Sequence, residues 1–152
     1  MNYEIVFLKE KTVVGLTART NNAAPDMVAV IGDLWNRFYQ DGVYTAIQHK
    51  SNDKAMGIYT DYAGNAKDDY SVVVACEVDE ASNLPLGAVT RTLPAGQYAK
   101  FVVKGPIQTA VADFWQKLWT MDLPRSYTCD FEEYQNDDAE NAIIHIYIGL
   151  RV

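Results

Sequence analysis

Gly32-Asp33-Leu34-Trp35-Asn36-Arg37-Phe38 and Ala112-Asp113-Phe114-Trp115-Gln116-Lys117-Leu118 carry one pattern twice, eighty residues apart. Asp33 falls on Asp113, and Trp35 falls on Trp115. Each heptamer lies inside a run whose apolar residues recur at steps of three and four. The first run is Met27, Val30, Ile31, Leu34 and Phe38; the second is Ile107, Ala110, Val111, Phe114 and Leu118. That spacing is one face of a helix. Pro25 opens the first helix at a place where its missing N–H costs nothing, and Gly105-Pro106 opens the second. Asp41-Gly42 closes the first, and Pro124 lies beyond the end of the second. A repeat of this kind is sought before any fold assignment.

Working outward, the segments around both helices read as strands. Glu4 to Leu8 and Thr12 to Arg19 are apolar and β-branched, a strand or strand pair broken by Lys9-Glu10-Lys11. After the first helix come Met56 to Tyr62, a polar turn over 63–69, and Tyr70 to Val78 with its valine centre. After the loop Ser82 to Gly87, Thr90 to Leu93 leads into the Pro94-Ala95-Gly96 turn, and Gln97 to Lys104 is a strand. The second helix is followed by Ser126 to Tyr134, an acidic turn from Asn136 to Asn141, and Ala142 to Val152. Each half reads strand, helix, strand, strand. The expected fold is α+β: a tandem duplication over about 1–80 and 85–152, within one domain of 1–152, building an antiparallel sheet with two helices. A cleft is expected where the halves meet, a favoured place for a ligand.

Composition narrows the function. The chain has 152 residues, 49% hydrophobic and 22% charged, too apolar for a disordered chain. Its net charge of −7, with no Lys/Arg cluster, argues against direct nucleic-acid binding. Cys76 and Cys129 sit in apolar runs and read as reduced core thiols. The first residues lack the basic flank and apolar stretch of a leader, and no run approaches a membrane span, so the cytosol is the expected compartment. Ten Tyr and three Trp against five Phe is more polar-tipped ring than a core needs for filling. Such rings need partners when buried, and they recur on binding surfaces.

Strand parity then singles out a carboxylate. In Asp130-Phe131-Glu132-Glu133-Tyr134, alternation puts Asp130, Glu132 and Tyr134 on one face, and Cys129, Phe131 and Glu133 on the other. One reading is a solvated strand face near an edge. The other is a carboxylate in an aromatic pocket, where a buried charge calls for a positive partner and ring faces attract cations. Tyr59, Tyr62 and Tyr70 bracket a hairpin in the first half, and Tyr134 and Tyr147 its counterpart. Trp35 and Trp115 sit beside the main apolar faces of their helices. His49 and His145 lack ligand-spaced neighbours, so no metal is expected; no phosphate loop or nucleophile motif occurs, and no cofactor is expected.

Leu93-Pro94-Ala95-Gly96-Gln97-Tyr98-Ala99-Lys100-Phe101, Lys104-Gly105-Pro106, the Trp-bearing helix, Asp130 to Tyr134 and Ile146-Tyr147-Ile148 follow in an order that resembles the GyrI-like small-molecule-binding family. This is the AraC-type effector-binding, BmrR-like multidrug-binding family. Val14-Gly15-Leu16, the Trp35 segment, Tyr59-Thr60-Asp61-Tyr62 and Tyr70 extend the resemblance over nearly the whole chain, with the flavour of stand-alone, integron-cassette members. The resemblance implies a tandem fold of the SOUL/GyrI-like type, a cleft between halves, and a Phe-Glu-x-Tyr motif, matched by Phe131, Glu132 and Tyr134, whose Glu faces the ligand. Many members carry a helix-turn-helix module first; the first strand here begins by about Glu4, so a regulatory role would need a separate DNA-binding partner.

The expected function is binding of small lipophilic, cationic aromatic molecules, linked to transcriptional regulation. Glu132 would supply charge, and Trp35, Phe38, Tyr59, Tyr62, Tyr70, Trp115, Trp119, Tyr134 and Tyr147 candidate walls. The alternatives are a hydrolase of reactive electrophiles with Glu132 as general base, and a gyrase-inhibitor-like protein-interaction module resting on the acidic turn.

Overall fold

The computed structural model describes residues 1–65 and 67–151. In the first half, β1 (Glu4–Leu8) and β2 (Lys11–Thr20) precede helix α1 (Met27–Gln40), a one-turn helix α2 (Val43–Ala46), β3 (Lys50–Thr60) and β4 (Tyr70–Val78). The second half repeats the plan with β5 (Val89–Leu93), β6 (Gly96–Gly105), α3 (Ile107–Trp119), β7 (Arg125–Tyr134) and β8 (Ala142–Leu150). All pair antiparallel in one sheet of order β1-β6-β8-β7-β3-β4-β2-β5. The order mirrors the duplication: β6-β8-β7 is matched by β2-β4-β3 read backwards, and β7 meets β3 at the centre.

The two edge strands are exchanged. β1 belongs to the first half in sequence but pairs with β6 of the second; β5 belongs to the second and pairs with β2 of the first. Only Lys9 and Glu10 join β1 to β2, a reach of at most about 11 Å. Laid flat, the six strand spacings between them would span about 29 Å. The link from β5 to β6, Pro94-Ala95, sets the same demand. The sheet therefore curls until its ends approach. Its inner face closes on Val13, Met56, Ile58, Val73, Leu93 and Phe131, all at most 2% exposed.

Both long helices lie on the outer face. Leu34 and Phe38 of α1 pack with Leu16, Val72 and Val74, while Phe114 and Leu118 of α3 pack with Phe101, Ile144 and Ile146. These are the repeat-equivalent pairs of the two heptamers. Neither helix has a side-chain cap hydrogen bond. A cap is worth about 1 kcal/mol, against about 1.5–3 kcal/mol for each buried Leu or Phe, so packing holds the helices in place.

Some boundaries differ from the sequence reading. α1 starts at Met27 with Asp26 as N-cap, leaving Pro25 outside it. Gly42 ends α1 in the left-handed region, φ 75°, as its position implied. β3 begins at Lys50, ahead of the expected Met56, because an irregularity between Lys50 and Ala55 breaks the alternation that would reveal it. α2 is too short to leave a periodic pattern. Ala66, within the expected turn, and Val152, at the expected end of the last strand, lie outside the described residues.

Candidate functional site

β7 and β3 run side by side where the halves join, and Glu132 stands directly opposite Gly57 there. Residues facing each other across a ladder share a face, so Glu132 points outward, toward the helices. A Cβ at Gly57 would lie 3.0 Å from Glu132 Oε1 and 3.2 Å from Trp35 Cζ2, so both side chains would have to give by a few tenths of an ångström. The missing side chain lets the carboxylate and the α1 indole occupy the space over the strand.

Glu132 is 2% exposed. Trp115 Nε1 donates to its Oε2 at 2.8 Å, and the Tyr59 hydroxyl donates to the same oxygen at 3.2 Å. The Tyr134 hydroxyl donates to Oε1 at 2.8 Å. None of the ion pairs among the described residues includes Glu132. Burial raises its pKa above the ordinary carboxylate value, and the three donors hold against that rise without cancelling it. Burial and the neighbouring carboxylate push Tyr59 and Tyr134 well up, so both remain neutral donors near pH 7.

Rings frame this group from both helices. Trp35 of α1 meets Tyr134 edge-on at 5.2 Å, and Trp115 of α3 meets Tyr59 edge-on at 5.3 Å. Two cavities open beside them. The smaller, about 330 Å³, is lined by Tyr59, Tyr62, Tyr70, Trp115 and Trp119, with Ile31 of α1 and Arg125. The larger, about 640 Å³, is lined by Trp35, Tyr39, Tyr44 and Tyr134, with Asp53 and the β7–β8 loop residues Asp137 and Asp138.

A second buried carboxylate shares the face. Asp130, fully buried, accepts from Arg125 Nη2 at 2.7 Å, from the Tyr62 hydroxyl at 2.6 Å, and from the Gly149 N–H at 2.9 Å. Five positions apart, Arg125 and Asp130 would face opposite ways on a regular strand. The pairing of β7 with β8 is irregular between them, and Tyr127 takes φ 53°. That irregularity turns Arg125 back onto Asp130, with its guanidinium 4.5 Å from the Tyr127 ring centroid.

The structure brings together Glu132, Trp35, Tyr59, Trp115 and Tyr134, and places Tyr62, Tyr70 and Trp119 on the adjoining cavity wall. Phe38 is fully buried core behind Trp35, 6.4 Å from it edge-on, so it supports a wall and is not part of one. Tyr147 is not brought to this group. Its register partner is Phe131, on which it stacks at 4.7 Å on the inner face of the sheet. Sequence reasoning missed Gly57, Arg125, Tyr39 and Tyr44. Tyr39 had a visible signal, lying one helical turn after Trp35; Arg125 had none.

The architecture is thus a curled antiparallel sheet carrying two repeat-related helices, with a buried acid between them. The family model described as Cass2, integron-associated effector binding protein, matches residues 4–150, and the chain belongs to that family. YobU of Bacillus subtilis (strain 168), provisionally named a transcriptional regulator protein, is 29% identical over 97% of this chain and 96% of its own. Integron cassette protein VCH_CASS2 from the mobile metagenome of Vibrio cholerae superposes with a TM-score of 0.80 at 28% identity, covering 98% of this chain and 95% of that one. SAV2435, solved bound to tetraphenylphosphonium, superposes with a TM-score of 0.81 at 22% identity, covering 99% and 94%. No helix among the described residues is long and apolar enough to cross a membrane.

Proposed function

We propose that the protein binds small lipophilic cations, flat aromatic ones above all, between α1 and α3, with Glu132 as their counter-charge. The observation that carries this is a buried carboxylate held by three neutral donors, ringed by aromatic side chains, with no cationic side chain among the described residues paired to it. A buried ion is costly without an opposite charge, and such uncompensated groups concentrate at functional sites. A cation on these ring faces would feel the Glu132 field without touching an oxygen. SAV2435 shares the fold and was solved with tetraphenylphosphonium, which makes that cation a rational first probe.

General-base hydrolysis is the weaker reading, because the Glu132 oxygens already accept three hydrogen bonds that an attacking water would have to displace. A regulatory role, in keeping with YobU's name, would run through a separate DNA-binding partner, given the net charge of −7. The free, buried thiols of Cys76 and Cys129 fit a reducing compartment such as the cytosol. Titration of tryptophan fluorescence tests the main reading. Tetraphenylphosphonium is expected to quench saturably, and the neutral triphenylphosphine oxide to bind at least about tenfold more weakly, in line with a desolvated cation–ring contact. Equal affinities would defeat it.

A further inference from the structure

The three donors to Glu132 are divided between its two oxygens, and the division follows the cavities. Tyr59 and Trp115, on Oε2, line the smaller cavity. Tyr134, on Oε1, lines the larger. The carboxylate itself lines neither chamber, but it lies behind the ring walls of both, one oxygen held by each wall. The aromatic-cation site is assigned here to the smaller chamber, walled by Tyr59, Tyr62, Tyr70, Trp115 and Trp119; the larger, walled by Trp35 and Tyr134, has about twice its volume.

The larger chamber has the chemistry of a cation site. Trp35 and Tyr39 stack with centroids 6.3 Å apart, Tyr39 and Tyr44 lie at 5.5 Å, and Tyr134 meets Trp35 edge-on, giving a continuous ring wall. Asp53, Asp137 and Asp138 stand around it, and among the described residues no Lys or Arg lines it. The chain's own Lys50 ammonium sits 4.9 Å from the Tyr44 centroid, where it also donates to the Tyr44 and Ile47 carbonyls. Tyr39 is 52% exposed, so the wall is open to an incoming ligand.

We propose that the larger chamber is a second binding site, for an alkylammonium head, and that it shares Glu132 with the aromatic-cation site. This rests on the reading of Glu132 given above. Two cations facing one carboxylate repel each other and divide its field, so both bind at once but each weakens the other. Coupling of this kind is reciprocal and typically about 5–150-fold.

Calorimetric titration of tetraphenylphosphonium at rising fixed concentrations of decyltrimethylammonium tests it. The phosphonium Kd is expected to rise and then level off at roughly tenfold, the mark of two occupied sites with negative coupling. Tyr39→Ala, in the larger chamber, should weaken the ammonium and leave phosphonium binding alone intact. Trp119→Ala, which removes a 53% exposed ring from the smaller chamber, should do the reverse. In Glu132→Gln both cations should weaken and the plateau should fall toward unity. A phosphonium Kd that climbs without levelling means simple competition for one site and overturns the proposal. So does a phosphonium Kd indifferent to the ammonium. If tetraphenylphosphonium itself does not bind, the reading of Glu132 fails, and the second site fails with it; the other outcomes leave that reading standing.

Discussion

Asp130 and Glu132 are two residues apart on one strand, on one face, and both are buried, yet the protein treats them oppositely. Asp130 has its own cation: Arg125 reaches it at 2.7 Å, and a backbone N–H and a tyrosine complete its shell. Glu132 receives only neutral donors. One charge is settled inside the fold and serves architecture. The other has no counter-ion among the described residues, and the proposed cation role rests on that difference. A buried acid points to a binding role, then, only once its partners are known.

The sharpest way to break this contrast is to make Asp130 resemble Glu132. Arg125→Met leaves a fully buried carboxylate unpaired and is expected to cost about 3–5 kcal/mol, read as a fall in the urea midpoint. Gly57→Val comes next. Its branches would push into Glu132 and Trp35, at about 1–3 kcal/mol by denaturation, with cation affinity falling more than stability implies.

Glu132→Gln should alter stability less and mainly its pH dependence. Folding raises the Glu132 pKa, so the folded state holds the proton more tightly than the unfolded chain does. The wild type therefore loses stability as pH climbs from the unfolded carboxylate value through the raised folded one. Glu132→Gln should remove that slope, as seen in urea midpoints measured from pH 4 upward. The same linkage predicts tighter cation binding at higher pH, because a bound cation favours the ionised form. Tyr147→Phe is the smallest change: on the inner face, its loss should leave cation affinity unchanged and stability within about 0.5 kcal/mol.

Much of this was legible in the residues. The Trp35 and Trp115 heptamers revealed the duplication, and period-two alternation put Glu132 on the face with Tyr134, because β7 is regular from Asp130 onward. Arg125 was hidden because parity fails across the irregularity that precedes Asp130. Tyr147 was misplaced for a different reason. Its face depends on the register of β8 against β7, and Ile143, Ile144, Ile146 and Ile148 make both faces of β8 apolar; only His145, in phase with Tyr147, marked the other side. The exchange of β1 and β5 could not be read locally at all, since Lys9-Glu10 looks like any hairpin link. Strand pairing across the whole chain decides it.

That exchange reaches into how the protein meets its guests. Because each half is clasped by the other's outermost strand, the two helices cannot swing apart like jaws without tearing ladder hydrogen bonds at both rims. In the binding role proposed above, adjustment to a guest would then fall to the indole and phenol rings rather than to the sheet.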